Sequence, residues 1–229
     1  SLNPDRGSAS QVTSVLVHGH NFLNTSALLC RFDNTISQAV YISATRLLCN
    51  APVHSPGFVP VEVSVNGFDF SFSDKRFAYE ESAVVTSVWP VMGSGRIGGT
   101  VVSVHGKNFP NSVDLGCLFG KYPVTATWID TETILCESPP HFPGLVSLEV
   151  TTNGIEATKS GMQFLYVREP SVHALMPERG LATGQYSVFI SGANFVNSTA
   201  LGCRFDSVPV RGVFLSPSMI VCTAPSRSA

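Results

Sequence analysis

The stretch Val104-His105-Gly106-Lys107-Asn108-Phe109 is the middle one of three closely similar segments in this chain of 229 residues. The other two are Val17-His18-Gly19-His20-Asn21-Phe22 and Ile190-Ser191-Gly192-Ala193-Asn194-Phe195. The glycine, the asparagine and the phenylalanine are kept in all three, and the glycines stand 87 and 86 residues apart. The chain is therefore an array of one module, and each copy is large enough to bury a core of its own.

Two cysteines stand in the same register in each copy and are separated by 19 positions: Cys30 and Cys49, Cys117 and Cys136, Cys203 and Cys222. Matched pairs of this kind indicate an oxidising compartment, where a disulfide closing such a loop contributes roughly 3 kcal/mol in the chain-entropy model. The register favours pairing within each module, while the other connectivities that six cysteines allow stay open. No C-x-x-C spacing occurs, so a zinc site is not indicated.

The first two copies share further signals that the third lacks. Behind the second cysteine come Pro-Gly, Asn-Gly and Phe-x-Tyr, at 56–57, 66–67 and 77–79 in the first copy and 87 residues later in the second. We therefore expect a window cut from a longer tandem protein. Its predicted modules are 1–80 with the first strand trimmed, 81–167 complete, and 168–229 with the C-terminal strands missing.

Short runs with two-residue alternation, such as Val61-Glu62-Val63-Ser64-Val65, predict half-buried strands. The Asn66-Gly67 and Asn153-Gly154 dipeptides that follow two of these runs predict type I′ hairpin tips. The repeated glycine predicts a bulge or a positive φ, and the repeated phenylalanine predicts a core anchor. About seven strands per complete module, with no helical periodicity, predict an all-β chain of tandem immunoglobulin-like sandwiches.

These residues resemble the IPT/TIG family, the immunoglobulin-like domain shared by plexins, transcription factors and many surface proteins. The resemblance covers the whole chain, although Asp33 and Asp206 replace Gly120 of the second copy. It implies an immunoglobulin-like fold, and the tandem cysteine-bearing form resembles extracellular members of plexin-like, growth-factor-receptor and fibrocystin-like type. The motifs match best in the second copy, at Pro90, Gly98-Gly99-Thr100, Gly106-Lys107-Asn108-Phe109, Cys117-Leu118-Phe119-Gly120, Cys136-Glu137-Ser138-Pro139, Asn153-Gly154 and Phe164-Leu165-Tyr166.

Composition argues against two classes of partner. The net charge of −2 and the scattered lysines and arginines give no basic face for nucleic acid, so DNA binding ranks last among the hypotheses. Apolar runs stay short of the ~18 to 20 residues that span a bilayer, and we expect no direct membrane insertion within this window. The expected location is extracellular or at the cell surface.

Two N-x-S/T sequons, at Asn24 and Asn197, each lie five residues after the repeated glycine, whereas Asn111-Ser112-Val113 of the second copy has no acceptor. Their recurrence in one loop predicts N-glycosylation at Asn24 and Asn197. We predict no catalytic residues, no metal site and no cofactor, because nucleophile elbows, phosphate loops and carboxylate pairs are not evident. The paired histidines, His18 with His105 and His54 with His141, are assigned a local hydrogen-bonding role. The aromatics Trp89, Trp128, Phe58 and Phe142 are assigned to core or joint packing, with carbohydrate or protein binding as the alternative, and a calcium site at Glu80-Glu81 is a further alternative.

The resulting functional hypothesis is a non-enzymatic extracellular structural protein, a semi-rigid rod of disulfide-bonded, glycosylated modules. Its expected partners are proteins, including further copies that build a filament, and its third module is closed either in cis or by a neighbouring subunit's strands. The alternatives are a spacer or ligand-binding part of a receptor or adhesion ectodomain, and an accessory module of a secreted carbohydrate-active enzyme.

Overall fold

A computed structural model describes residues 1–226 as twenty-two β-strands without a helix, which confirms the predicted all-β class. The chain divides into two compact units. The first comprises 1–93, 99–139 and 145–165, and therefore holds the first copy and most of the second. The second unit comprises 94–98, 140–144 and the described residues from 166 to 226. The three copies of the repeat are called modules 1, 2 and 3 below.

Module 1 is a sandwich of a four-stranded sheet, β1-β3-β7-β6, and a five-stranded sheet, β2-β9-β8-β4-β5. The strands β2 and β9 pair in parallel, and the other pairs are antiparallel. Its strands are β1 Leu2–Asn3, β2 Arg6–Ser8, β3 Thr13–His18, β4 Leu29–Phe32, β5 Thr35–Gln38, β6 Val40–Ser43, β7 Arg46–Ala51, β8 Gly57–Ser64 and β9 Arg76–Glu80.

Module 2 contains one wrapped sheet of eight strands in the order β10-β12-β15-β14-β13-β16-β17-β11. Strand β14 joins the two layers, because its first half pairs with β13 and its second half with β15. The strands are β10 Val84–Trp89, β11 Met92–Ser94, β12 Val101–Lys107, β13 Gly116–Phe119, β14 Tyr122–Asp130, β15 Thr133–Glu137, β16 Gly144–Thr151 and β17 Gln163–Val167.

Module 3 is described as five strands in the order β18-β19-β22-β21-β20. They are β18 Ser171–Met176, β19 Ser187–Ala193, β20 Gly202–Phe205, β21 Val208–Ser216 and β22 Met219–Thr223. The predicted seven strands per complete module become eight in module 2, because its first strand is split into β10 and β11. Module 1 has nine, because the counterpart of β14 is broken at the buried Ala39 into β5 and β6.

Each module buries a core between its two layers. In module 1 this core includes Phe32 and Phe77, whose rings meet edge to face at 5.7 Å, and the module 2 rings Phe119 and Phe164 meet in the same way at 5.3 Å. Disulfides cross each core and link strands of opposite layers. They join Cys30 to Cys49, Cys117 to Cys136 and Cys203 to Cys222.

The repeated glycine is needed for close approach and not for a positive φ of its own. A Cβ on Gly106 would collide with the Val84 carbonyl oxygen and would lie 2.5 Å from the Phe109 ring, and Gly192 is enclosed in the same way. The facing strand carries the predicted bulge, at the register shift between Val85 and Ser87. Phe109 is fully buried, which confirms its predicted role as a core anchor.

The positive φ lies two residues after that glycine, on the repeated asparagine, at 60° for Asn21, 61° for Asn108 and 62° for Asn194. Asparagine tolerates this left-handed conformation better than most residues, so its recurrence has a backbone reason. The same reason explains why Asp33 and Asp206 replace Gly120, since all three residues have φ between 53° and 62°.

The predicted type I′ hairpin tips are wrong. Strand β8 ends at Ser64, and positive φ is found at Gly67 and Gly154 but not at the asparagines before them. Instead, the Asn66 side chain turns the chain by accepting the backbone N–H groups of Phe68 and Asp69 at 3.0 and 2.9 Å. Residues 68–72, which would form the second strand of such a hairpin, are therefore an irregular segment of a long loop.

The long loop of module 2 is held by one carboxylate. Glu149 accepts hydrogen bonds from the Thr158 hydroxyl at 2.6 Å, from the N–H and hydroxyl of Ser160, and from the Gly161 N–H at 3.0 Å. Burial raises the pKa of the Glu149 carboxyl, but these hydrogen bonds outweigh it and bring the pKa below its ordinary value. The loop is therefore tied to the ionised form of Glu149.

Replacing Gly106 with alanine should destabilise module 2 by about 3 kcal/mol, because the new methyl group must displace Val84 or Phe109. Urea unfolding of the full chain measures the loss. Lys107→Ala, on the exposed neighbour, is the matched control and should stay within about 0.5 kcal/mol of the parent. Equal effects of the two substitutions would contradict the close-approach account.

Replacing Glu149 with glutamine should cost about 1 kcal/mol at pH 7, a value reduced for the partial exposure of the carboxylate. Because the folded pKa lies below the ordinary value, the contribution of the carboxylate is present at neutral pH and is lost as the pH falls below 4.5 and through the folded pKa. Urea unfolding between pH 3 and pH 7 should show the parent and the variant converging in acid. A difference that does not depend on pH would contradict this account.

Candidate functional site

Modules 1 and 2 meet in a polar contact that we call the first joint, formed by Arg6, Thr13, Asn153 and Glu156. The Thr13 hydroxyl donates to the Glu156 carboxylate at 3.0 Å, and the Asn153 amide donates to the Arg6 carbonyl oxygen at 3.3 Å. The same amide also donates to Glu156 at 3.1 Å. Thr13 is fully buried and Asn153 is 4% exposed, so these polar groups are shielded from water and paired with each other.

The strand that leads out of module 1 adds an ion pair beside the first joint. The Arg6 guanidinium donates to Glu80 at 3.1 Å, with both side chains half-buried. Burial raises the pKa of Glu80, and the opposing effect of Arg6 is smaller. The attraction of Arg6 therefore does not fully offset the cost of burying the Glu80 carboxylate, and the ion pair contributes little to stability.

A small cavity of about 40 Å³ lies between the two modules. It has room for a few water molecules but is far below the few hundred Å³ typical of organic-ligand pockets. Its walls come from the strand and linker of module 1 and from the long loop of module 2, including Ser8, Glu80, Glu81, Thr152, Glu156 and Thr158.

The linker after module 1 is also fixed by the repeated asparagine. Because Asn108 has a left-handed backbone, its side chain reaches the Ser82 carbonyl oxygen and donates to it at 3.1 Å. Ser82 in turn shares hydroxyl hydrogen bonds with Ser8 at 2.7 Å and Ser10 at 2.6 Å. The linker is thus bonded to both modules.

The second unit repeats part of this arrangement. Asn194 donates to the Glu169 carbonyl oxygen at 3.0 Å, and the Glu169 carboxylate accepts from the Ser94 hydroxyl and, at 3.1 Å, from the Arg96 N–H. The hydrogen bond from Ser94 is the main reason why the pKa of Glu169 lies below its ordinary value. Ser94 is the repeat equivalent of Ser8, and Glu169 is the repeat equivalent of Ser82. The hydroxyl–hydroxyl bond between Ser8 and Ser82 is therefore replaced in the second unit by a hydroxyl–carboxylate bond.

The two sequon asparagines, Asn24 and Asn197, are exposed and lie in loops between strands of different layers. The Thr25 hydroxyl donates to the Val65 carbonyl oxygen at 2.6 Å, which ties the first sequon loop to the end of β8. Both amides are accessible to a large modifying enzyme.

The histidines hold loops locally and are not brought together. His54 and His141 each bond the next carbonyl oxygen and stack on a buried tyrosine, Tyr79 at 4.9 Å and Tyr166 at 4.8 Å. Burial raises the pKa of Tyr79 to about 12, so the phenol stays neutral. His105 lies on the sheet surface between two hydroxyl groups.

Of the four aromatics singled out in the sequence, only Trp128 is anchored in the manner expected for packing. Its indole N–H donates to the Phe109 carbonyl oxygen at 3.0 Å, and the ring is half-buried. The other three are open to solvent, with exposed fractions of 71% for Trp89, 72% for Phe58 and 87% for Phe142, so core packing, one of the two packing roles predicted for them, is wrong.

Glu80 and Glu81 both line the small cavity, but no cluster of three or more His, Cys, Asp or Glu side chains suited to a metal ion occurs in residues 1–226. The calcium site considered at this linker is therefore not formed by the described side chains. Within the same residues, no helix is long and apolar enough to cross a membrane.

Three residues that carry the first joint, Thr13, Arg6 and Glu156, were not among those predicted from the sequence. A signal was present, because an acidic residue stands three positions after the asparagine in both Asn-Gly loops, as Asp69 and Glu156. Alternation and turn patterns indicate contacts within a module, but they do not indicate which loop contacts the neighbouring module.

Comparison with known proteins agrees with the fold. The model of the IPT/TIG domain family matches residues 1–79, 83–166 and 170–229. Fibrocystin-L of Mus musculus is 27% identical over 202 residues, which cover 86% of this chain and 5% of that protein. Plexin-B2 of Mus musculus is 24% identical over 207 residues, which cover 85% of this chain and 11% of that protein.

A solved structure of the full extracellular region of plexin A4 covers 100% of this chain and 21% of its own, with a TM-score of 0.50 and 17% identity. The chain thus spans only a small part of the relatives that it matches. The three family matches together account for nearly all of its residues. The resemblance read from the sequence is confirmed, and this chain belongs to the IPT/TIG domain family.

Proposed function

We propose that this chain is part of an extracellular or cell-surface protein in which tandem IPT/TIG modules act as a non-enzymatic, semi-rigid spacer of receptor or adhesion type. The observation that carries the proposal is the first joint, where buried polar groups of one module find their partners on the next. Bonds of this kind fix an angle between modules, because breaking them would leave buried groups unpaired.

The extracellular or cell-surface location has two supports. Each module is crossed by a disulfide, and such bonds persist in oxidising compartments. The relatives include plexins and fibrocystin-L, and the plexin A4 structure is that of an extracellular region. Both lines agree with the location expected from the sequence.

The partners of the spacer are proteins. Module 2 carries Trp89, exposed by 71%, and module 1 carries Phe58, exposed by 72%. Aromatic side chains that are solvent-exposed in an isolated protein are commonly the anchor residues of a protein–protein interface. The alternative role as an accessory module of a carbohydrate-active enzyme would use the same aromatics to stack on sugar rings, and glycan-binding measurements separate the two.

N-glycans on Asn24 and Asn197 belong to the same proposal. The two sequons occupy equivalent loops of modules 1 and 3, and module 2 has Val113 where an acceptor would need a hydroxyl. Sugar on these loops would keep the corresponding surfaces hydrated and leave that surface of module 2 bare for a partner.

A fibre is the second candidate function. Among the described residues, β20 pairs only with β21, whereas β4 and β13 pair on both sides. An open strand edge accepts a further strand, either from later residues of the same chain or from a neighbouring subunit. Electron microscopy of the intact protein, purified without reduction, distinguishes filaments from the separate particles expected of a spacer.

Replacing Thr13 with valine should loosen the first joint, because the shape of the side chain is kept and the hydrogen bond to Glu156 is lost. Amide exchange at residues 153–157 of the full chain should accelerate about tenfold, the equivalent of one hydrogen bond to a charged group. Thr100→Val, at the equivalent place in module 2, is the matched control and should leave these amides unchanged. Unchanged exchange in Thr13→Val would contradict the proposed fixed angle.

Secretion from a eukaryotic host should give a chain carrying two N-glycans. Asn24→Gln and Asn197→Gln should each remove the mass of one glycan, and Asn111→Gln should remove none, because that site lacks the acceptor hydroxyl. Mass spectrometry before and after enzymatic deglycosylation measures the occupancy. An unmodified parent chain would overturn this part of the proposal.

A further inference from the structure

The Asn-Gly loops of modules 1 and 2 are built alike. In each, the asparagine side chain accepts the N–H groups of the second and third residues after it, at 2.9 to 3.1 Å, and donates to the acidic side chain of that third residue. That last hydrogen bond is 2.9 Å from Asn66 to Asp69 and 3.1 Å from Asn153 to Glu156. The two loops therefore present the same polar groups in the same arrangement.

Their surroundings differ. Asn153 is only 4% exposed, because its loop rests on module 1 through Arg6 and Thr13. Asn66 and Asp69 are exposed, and the described residues offer them no neighbouring module. The loop of module 1 is thus a preformed copy of a docking element whose docked form is present in the same chain.

Apolar exposure points to the same loop. Phe68, the repeat equivalent of Ile155, is 88% exposed, and Phe72 is fully open to water. Two exposed phenylalanines within five residues are costly to leave hydrated, whereas they become favourable once an interface covers them. Phe70 between them is already covered, because the Arg31 guanidinium lies 4.1 Å above its ring.

The surface that receives the docked loop has three recognisable parts. Thr13 supplies a hydroxyl, Arg6 supplies a backbone carbonyl oxygen, and Gly7 lets the chain pass close to Thr13, where a Cβ would collide with the threonine side chain. Module 2 carries the same three parts as Thr100, Met92 and Gly93, and a Cβ on Gly93 would collide with Thr100. We call these three residues of a module its threonine end.

We propose that residues 66–69, together with Phe68 and Phe72, form a docking surface for the threonine end of a further IPT/TIG module placed ahead of module 1 in tandem. The Asn66 amide donates to the backbone carbonyl oxygen of that module, and the Asp69 carboxylate accepts its threonine hydroxyl. Asp69 is one methylene shorter than Glu156 and Phe68 is larger than Ile155, so the docked loop would lie closer to the threonine and bury more apolar surface while making the same polar contacts. This inference rests on the proposed spacer function.

A fusion tests the inference with the full chain present. A duplicate of residues 1–86 is placed directly before Ser1, because Ser1-Leu2 is the repeat equivalent of Ser87-Val88 and the native linker is thereby reproduced. The readout is amide hydrogen exchange of Phe68 and Asp69, compared between the fusion and the unfused chain. We expect exchange at these amides to slow about tenfold in the fusion, as one further set of buried hydrogen bonds implies.

The matched control is Thr13→Val in the duplicate alone, which removes the hydroxyl offered to Asp69 and should restore the faster exchange. Unchanged exchange of Phe68 and Asp69 in the unmutated fusion would overturn the inference. Slowing that appears in the unfused chain as its concentration rises would also overturn it, because the occupant would then be a second copy and not a module in tandem.

A second variant keeps the inference testable if the fusion folds poorly. Because both loops begin with Asn-Gly, the double substitution Ile155→Phe with Glu156→Asp transplants the module 1 loop into the docked position of the full chain. Residues 153–156 should keep slow exchange within about threefold of the parent, since the polar contacts with module 1 are preserved. Exchange as fast as in Asn153→Ala would contradict the idea that the two loops are interchangeable.

The native first joint separates the two possible failures. If residues 153–156 exchange rapidly in the unmodified chain, the fixed joint is absent and the proposed spacer function fails. If they exchange slowly while Phe68 and Asp69 stay fast in the fusion, only the docking surface on module 1 is refuted.

Discussion

Each module, and the linker that leads into it, depends on the contact between an aromatic ring and a glycine. Phe109 occupies the space that a side chain on Gly106 would fill, and to reach it the backbone takes a left-handed turn at Asn108. That turn aims the Asn108 amide at the Ser82 carbonyl oxygen in the linker. One packing requirement inside a module therefore also sets the path by which the chain enters it.

Much of the fold could be predicted from the sequence because it is repeated. The same spacing of Gly106, Phe109 and the cysteines is found in all three copies. A pattern that recurs three times in one register is not a chance arrangement of residues. The hairpin at Asn66 was predicted wrongly, because Asn-Gly also suits a turn in which the asparagine side chain caps two N–H groups. The two turns differ in the hydrogen bonds made by the residues that follow the Asn-Gly dipeptide, and the sequence does not show those bonds.

The first joint could not be predicted, because its partners are far apart in sequence and the repeat does not say which loop meets the neighbouring module. Side-chain partners within a module also change between copies. Glu62 and Glu149 occupy the same register, yet Glu62 pairs with Arg31, whereas Glu149 holds a loop of its own module. The difference follows from the neighbouring strand, where Leu118 replaces Arg31. A repeat thus fixes where a side chain lies but leaves its bonding partner to residues that vary.

The disulfides that cross each sandwich have a consequence under mechanical load. A tether between cells or surfaces is pulled along its chain, and an unfolding module lengthens by about 3.3 to 3.6 Å for every residue released. Since each disulfide joins residues 19 positions apart, each withholds roughly 65 Å of chain from stretching even after its module has lost all other contacts. Under tension the array would lengthen in limited steps, and every module would keep a covalently closed ring from which its two layers can reassemble.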